Sequence, residues 1–456
     1  MAHPSVKHVV IVGGGASGVL MAAHLLRADP ENLRVTLIER GGALGRGLAY
    51  ATSNPAHVLN VRAANMSAFA DDPDHFWRWI AQSAGASIPG QLDRSSFAPR
   101  ALYGRYLESL LDPYRSRDGE ARPLDRIVAE ARALSETPEG VEVTLDDGSI
   151  CPGDLLILAC GHEAEDKNRD AIYASPWRPP LAAGLPRDAP VLILGSGLTM
   201  VDAVLSLLDE GHLGEIVAIS RHGLLPQVHR PVDPLPFDAA DVPFGTSLGY
   251  LWRWFRQQTQ WAIDRGGDWR SVVDGIRPHT QKIWRHLPQE SRRRFLEHAR
   301  SWWNVHRHRM APEIAARLKA AMTSRQLKIV AGKLGGVART DSGATVEYRP
   351  RGERRIETLN VARIFDCRGL APDPADTRNP ILRSLLDQGL ARPDPLGIGL
   401  DVDANCALIA QSGKASQRIL AVGPLTRAAL WEIVAIPDIR VQAAQIAAEL
   451  TAKNPS

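Results

Sequence analysis

The sequence predicts an α/β fold with two Rossmann-like, doubly wound parallel-sheet domains. Three observations carry that prediction. The chain opens on an apolar run and a glycine turn, His8-Val9-Val10-Ile11-Val12 followed by Gly13-Gly14-Gly15-Ala16-Ser17-Gly18. The pattern returns mid-chain as Val191-Leu192-Ile193-Leu194 followed by Gly195-Ser196-Gly197-Leu198-Thr199-Met200. Apolar strands running into glycine then recur at Cys160-Gly161, Cys367-Arg368-Gly369 and Gly423-Pro424.

The first turn carries chemistry. A β-branched apolar run reads as a buried parallel strand. Gly13, Gly15 and Gly18 fall as G-x-G-x-x-G, and residues 19–27 continue as a helix. Gly13 allows the tight turn, Gly15 lets a pyrophosphate approach the backbone, and Gly18 lets helix pack on strand. The helix start at Ala16 and Ser17 offers unpaired N–H groups and a positive dipole end to phosphates. A second strand at 34–38 ends in Glu39-Arg40, where an acid takes the ribose hydroxyls. Together these features make a Rossmann-like dinucleotide-binding domain.

Composition sets the limits. With 456 residues the chain has room for two or three domains, each burying its own core. Hydrophobic content of 44%, charged content of 23% and a net charge of +3 are those of an ordinary globular protein. They call for neither nucleic acid nor a membrane surface, and no apolar run reaches the roughly 18 residues of a spanning helix. The first strand starts too early to leave room for a signal peptide, so a cytoplasmic protein is expected. Cys151, Cys160, Cys367 and Cys406 form no C-x-x-C or C-x4-C pair, which argues against a disulfide reductase and structural zinc. The histidines show no ligand spacing, and no metal is expected.

Beyond Glu39 comes the loop Gly41-Gly42-Ala43-Leu44-Gly45-Arg46-Gly47, then an irregular stretch at 49–66 containing His57-Val58-Leu59-Asn60-Val61. Apolar residues within so long a loop suggest that it is packed, over a cofactor in this reading. Residues 74–82 and 103–111 read as helices. Residues 126–134, 141–145 and 154–159 read as a strand meander, with Asp146-Asp147-Gly148 as a hairpin turn between the last two. Prolines at 176, 179, 180, 186 and 190 mark a linker, giving a first domain part at 1–185.

The second domain spans 186–325. Its turn departs from the first in one place, because Met200 stands where the third glycine is usual and spaces helix from strand. Its second strand, at 215–219, ends in Ser220-Arg221-His222 with no acid. A guanidinium suits the 2′-phosphate of NADPH, the alternative being a solvated arginine at a strand end. Gly195, Gly197 and Arg221 are therefore candidate NADPH contacts. Seven of the eleven tryptophans fall within 235–325, which reads as a Trp-rich helical insertion. Stacking on single-stranded nucleic acid is the weaker reading beside helix packing or a substrate cap. Arg307-His308-Arg309 is a candidate for an anionic group, with solvation the alternative. Strands at 327–331, 335–339, 344–348 and 361–365 follow, and an amphipathic helix at 433–450 closes the last part, 326–456.

With these motifs the chain resembles two-dinucleotide-binding-domain flavoproteins, specifically FAD/NAD(P)-binding proteins related to flavin-containing monooxygenases and bacterial N-hydroxylases. The matching residues include Gly13 to Gly18 with Glu39, Gly47-Leu48-Ala49-Tyr50, His57 to Val61, Cys160-Gly161, Gly195 to Asp202, Ser220 to Gly223, Arg307 to Arg309, and Gly423-Pro424 through Trp431-Glu432 to Arg440. The resemblance covers nearly the whole chain and is specific for a cofactor arrangement, not for a reaction. It implies that 1–185 and 326–456 fold together, the second domain being inserted between them. It also implies FAD on the first turn and NADPH on the second, with Gly161 and Gly423 passing close to cofactor. It points the helix after Pro437 toward the flavin, where its dipole would stabilise negative charge. His57 and Asn60 become the candidate catalytic groups near the flavin, with structural roles the alternative, and Trp431 is read as core packing, with the substrate side the alternative. The F-x-G-x-x-x-H motif of the monooxygenases is absent, the linker reading Cys160-Gly161-His162-Glu163-Ala164. The expectation is an NADPH-using monooxygenase acting on a small molecule such as an amine. The alternatives are a flavin reductase or dehydrogenase serving an organic acceptor or partner protein, and a redox-sensing binding protein.

Overall fold

The computed structural model describes residues 6–83, 92–115, 123–161, 172–369 and 373–452. The chain divides into two compact units. One comprises Met1–Ser53, Val61–Glu163 and Ala371–Ser456, the other Asn54–Asn60 and Ala164–Leu370.

The chain runs through β1 (Lys7–Val12), α1 (Ala16–Ala28), β2 (Leu33–Ile38), α2 (His75–Ser83), α3 (Arg100–Ser109), β3 (Leu124–Ile127), β4 (Ala131–Glu136), β5 (Val141–Leu145), β6 (Ile150–Gly153) and β7 (Leu155–Leu158). It continues in the second unit with β8 (Tyr173–Ala174), β9 (Val191–Leu194), α4 (Leu198–Asp209) and β10 (Ile216–Ser220). Six helices follow: α5 (Leu248–Asp264), α6 (Trp269–Gly275), α7 (Thr280–His286), α8 (Gln289–Arg294), α9 (Arg300–Arg307) and α10 (Pro312–Thr323). Then come β11 (Leu327–Thr340), β12 (Gly343–Pro350), β13 (Glu357–Val361) and β14 (Arg363–Asp366). The first unit resumes with α11 (Pro380–Asp387), β15 (Ala407–Ile409), β16 (Ala415–Ala421) and α12 (Ile436–Thr451).

The first unit is built on a six-stranded sheet ordered β15-β16-β7-β1-β2-β3, parallel except at β15. Its middle strands are apolar throughout because both faces are covered. Val9, Val10 and Ile11 are fully buried, as are Leu156, Ile157 and Leu158. Helices α1 and α12 pack together. A three-stranded antiparallel sheet, β4-β5-β6, completes the unit. The expected meander is thus divided between two sheets. Asp146-Asp147-Gly148 joins β5 to β6, not to the apolar strand beyond. Asp154 makes the change of sheet: its N–H donates to His8 O at 2.8 Å, and its Oδ2 accepts from His8 N at 2.6 Å. The next residues are thereby aligned parallel to β1.

The second unit repeats the arrangement. Its seven strands are ordered β13-β12-β11-β10-β9-β14-β8, so β14-β9-β10-β11 runs parallel as β7-β1-β2-β3 does in the first. This corrects the expected domain boundary. The chain does not rejoin the first unit at about 326: β11 pairs with β10, Leu327 opposite Ile216, and β14 pairs with β9, Arg363 opposite Val191. Two expected strands are one, β11, with its register shift between Leu334 and Val337 at Gly335-Gly336. The helical region between β10 and β11 carries the seven tryptophans, which do not all serve as core. Trp284 is 2% exposed, whereas Trp252, Trp261 and Trp302 lie at the surface.

Candidate functional site

In the first unit the turn after β1 is made by backbone that only glycine tolerates. Gly13 has φ +106°, and a Cβ there would lie 2.4 Å from Ala159 O. A Cβ on Gly18 would lie 1.8 Å from Gly13 O, so the third glycine lets α1 rest on the turn. Gly15 is the N-cap of α1 and has no side chain to cap it. The first-turn amides of Ala16, Ser17 and Gly18 thus form an anion-binding end. Gly15 faces Gly47 with no side chain between them, a built Cβ standing 3.6 Å from Gly47 Cα. The loop carrying Gly47 is held to the turn by the Gly45 N–H donating to Gly14 O at 2.8 Å.

Glu39 sits at the end of β2, half-buried. Its Oε2 accepts from Gly14 N at 2.7 Å and its Oε1 from Gly41 N at 2.8 Å. These bonds fix the carboxylate, and each oxygen keeps acceptor capacity for a ribose hydroxyl. Arg40 is exposed and pairs with Glu130 at 3.3 Å. Gly161 follows β7 with φ +66°, and a Cβ on it would meet nothing within 4 Å.

Gly423 follows β16 with φ +72° and lies against the start of α1. Gln442, a residue the sequence reading missed, holds it there. Gln442 is 3% exposed. Its Oε1 accepts from Gly423 N at 2.8 Å, and its Nε2 donates to Thr426 Oγ1 at 2.9 Å and to Cys406 Sγ at 3.2 Å. Its signal in the sequence is a lone amide on the apolar face of α12, among Ile439, Ala443 and Ile446. Just before α12, Glu432 is 6% exposed with φ +68°, a conformation that strains a residue with a side chain. Its carbonyl accepts from Val434 N at 2.6 Å, turning the chain into the helix. Ala435 caps α12 and supplies no side-chain acceptor for the helix amides.

The second unit has a matching turn. Gly195 has φ +105°, and a Cβ there would lie 2.5 Å from Cys367 O, as Gly13 meets Ala159. Gly197 caps α4, is exposed, and a Cβ on it would meet nothing within 4 Å. Met200 is fully buried, so the missing third glycine is replaced by core packing and the turn still forms. Where an acid would stand, Ser220 Oγ lies 2.8 Å from Ser196 Oγ and accepts from Gly223 N at 3.0 Å. Arg221 is exposed, and its Nη1 donates to Glu297 O at 3.4 Å.

Two of the expected site motifs make their contacts within the second unit. His57 and Asn60 lie in Asn54–Asn60, the segment that belongs to the second unit. His57 Nε2 lies 3.0 Å from both Asp202 O and Ser206 Oγ on α4, and His229 Nε2 lies 2.9 Å from Asn60 O. These contacts anchor the segment as a strap on the second unit. The charge-dense triplet is the other. Arg309 is 3% exposed and paired with Asp274, and Arg307 is 8% exposed. Both guanidiniums are drawn inward.

None of the four cysteines forms a disulfide. Burial pushes the Cys160 thiol up to about 12 and raises Cys367 as well, so both stay protonated and unreactive. No helix among the described residues is long and apolar enough to cross a membrane.

Residues 10–163 match the FAD-NAD(P)-binding family. No curated protein matches the sequence. In fold the chain is similar to L-lysine 6-monooxygenase from Pseudomonas syringae, at 16% identity over 97% of this chain and 98% of that one, with a TM-score of 0.65. It is similar to an ornithine N-hydroxylase from Kutzneria sp. 744, determined with reduced FAD, NADP+ and L-ornithine, at 14% identity over 98% and 99% with a TM-score of 0.64. It is also similar to bacillithiol disulfide reductase from Staphylococcus aureus, at 13% identity over 99% of each chain with a TM-score of 0.53. At these identities the likeness is one of fold, and it is the two-nucleotide-domain fold expected from the sequence.

Proposed function

We propose, for a chain whose residues 10–163 form a FAD-NAD(P)-binding domain, that it is an FAD-dependent, NADPH-using monooxygenase that hydroxylates a small amine. The observation that carries the reading is the pair of glycine turns, Gly13 at φ +106° and Gly195 at φ +105°, one in each unit. Two dinucleotides in one chain suit electron transfer from one to the other. The fold likeness to amine N-hydroxylases supports the substrate class.

The residues fit the cofactors. In the first unit the α1 amides would take the pyrophosphate of FAD, Glu39 the ribose hydroxyls, and Gly15 and Gly161 would leave backbone open to it. Gln442 would keep the Gly423 turn in place, and the N-terminal end of α12 would favour negative charge nearby, with Asp438 in its first turn opposing that effect. In the second unit Gly197 would admit the NADPH pyrophosphate and Arg221 the 2′-phosphate. Held there, FAD would supply the means of accepting a hydride from NADPH and passing two electrons to O₂, so that, with a proton from solvent, one oxygen atom would enter the amine as N–OH and the other leave as water. None of the four cysteines forms a disulfide and no two stand in C-x-x-C or C-x4-C spacing, which supplies no dithiol motif for disulfide reduction.

The test is turnover of the FAD-loaded protein with NADPH under ¹⁸O₂ across a panel of amines and amino acids. An amine that yields an ¹⁸O-labelled hydroxylamine supports the reading. NADPH oxidation that yields only peroxide with every amine, alongside rapid reduction of a quinone or similar acceptor, would replace it with a reductase.

A further inference from the structure

At the end of β10 several cationic groups from separate elements of the second unit meet. Arg221 and His222 follow the strand. Arg351, just after β12, donates from Nη1 to His222 Nδ1 at 2.7 Å. The ring of Trp302 on α9 stands 5.9 Å from that of His222, and the indole is 39% exposed. Arg300, at the start of α9, is half-buried, and the charge of Arg221 adds to burial in holding its guanidinium below the ordinary range. Glu297 supplies its carbonyl to Arg221, while its carboxylate lies 3.4 Å from His298 Nε2. Like charges so gathered repel one another, and an anion placed among them removes that penalty.

We propose that Arg351, Arg300 and His222 join Arg221 in a site for the 2′-phosphate of an adenine dinucleotide, and that His222 takes up a proton as the phosphate enters. The proposal rests on the NADPH reading of Arg221 and extends it to residues from three further positions in the fold. Arginine only donates, so His222 Nδ1 is the acceptor and the ring is neutral in the observed arrangement. Burial, then the charges of Arg351 and Arg221, hold its imidazole below the usual value. A phosphate dianion would draw Arg351 away to a charge-assisted hydrogen bond. Nδ1, vacated, then binds a proton from solvent and donates it toward the phosphate. Trp302 offers an exposed flat face beside this site, suited to stacking on the adenine.

Calorimetric titration with 2′,5′-ADP and with ADP tests this without flavin turnover. It is run at pH 7.5 in buffers of different ionisation enthalpy, on the whole FAD-loaded protein. The expected result is tighter binding of 2′,5′-ADP with net proton uptake, and no uptake with ADP. A phosphate monoester bound as its dianion releases protons, so uptake has the sign of the histidine and not of the ligand. Arg351→Ala is expected to weaken 2′,5′-ADP about tenfold and leave ADP unchanged, and His222→Asn to abolish the uptake. If 2′,5′-ADP is preferred but Arg351→Ala and His222→Asn change neither affinity nor proton count, the site is overturned while the NADPH reading stands. Equal binding of the two ligands, or binding of neither, overturns both. Exposed Arg351 and half-buried His222 leave the core untouched, and circular dichroism confirms that each variant folds.

Discussion

Gly423 and Ser17 stand so close that a methyl group on the first would lie 2.3 Å from the hydroxyl oxygen of the second. The turn after β16 is thereby pressed onto the first residues of α1, where the glycine-rich turn presents its amides. Gln442 fixes the contact from the other side by accepting from the Gly423 amide. Gly423→Ala adds this clash to a positive φ, so it is expected to destabilise the protein by more than about 1 kcal/mol. Gln442→Leu leaves a buried N–H without its acceptor, a loss of about 1–3 kcal/mol. Chemical denaturation and the flavin content of the purified variants check both, with less retained flavin expected in each.

The two glycines of the second turn are expected to part company. Gly195→Ala meets Cys367 O at 2.5 Å and destabilises the fold. Gly197→Ala has an ordinary extended backbone and open space, so stability stays within about 0.5 kcal/mol. NADPH affinity is expected to fall at least tenfold in that variant, because the added methyl stands where backbone should meet pyrophosphate. Thermal melting and NADP+ titration separate the two effects.

How far the site was legible in the sequence follows from what each residue contacts. Local signals were enough for the turn geometry of Gly13, Gly15 and Gly18, and the β1-α1-β2 pattern placed Glu39 at the end of β2 although its partner Gly14 is twenty-five positions distant. Gln442 was missed because no motif links a lone amide on the apolar face of α12 to the Gly423 turn. The anchors of His57 were out of reach of local pattern, since its contacts to Asp202 and Ser206 span more than a hundred residues. The strands after residue 325 were given to the wrong unit because apolar alternation reports that a strand exists, not which sheet accepts it.

Glu39→Gln is a sharper probe than removal of the side chain. Both carboxylate oxygens accept from backbone amides, Gly14 and Gly41. An amide in that place sets an NH₂ against one of those N–H groups, and a loss of about 1–3 kcal/mol is expected. FAD retention is expected to fall with it. Equilibrium unfolding and a flavin absorbance measurement on the same sample check this.

Stability is expected to fall below neutral pH. Burial holds the imidazole of His24 below its ordinary value, and burial does the same to His8 and His75. The unfolded chain, with histidines near 6.5, therefore takes protons before the folded one does. The stability that these neutral rings contribute is whole above about pH 6.5 and is lost as pH falls through their lower folded values. Melting temperatures from pH 8 to pH 5 are expected to drop across the lower half of that range. In His24→Gln the drop is expected to be shallower.

Anaerobic rapid mixing of the FAD-loaded protein with NADPH and with NADH, followed by admission of oxygen and an amine, tests the central claim most directly. The flavin absorbance is expected to bleach faster with NADPH than with NADH, and oxygen then to yield a hydroxylated amine. A protein that retains no flavin after reconstitution with FAD, or whose flavin is reduced by neither nucleotide, would contradict it.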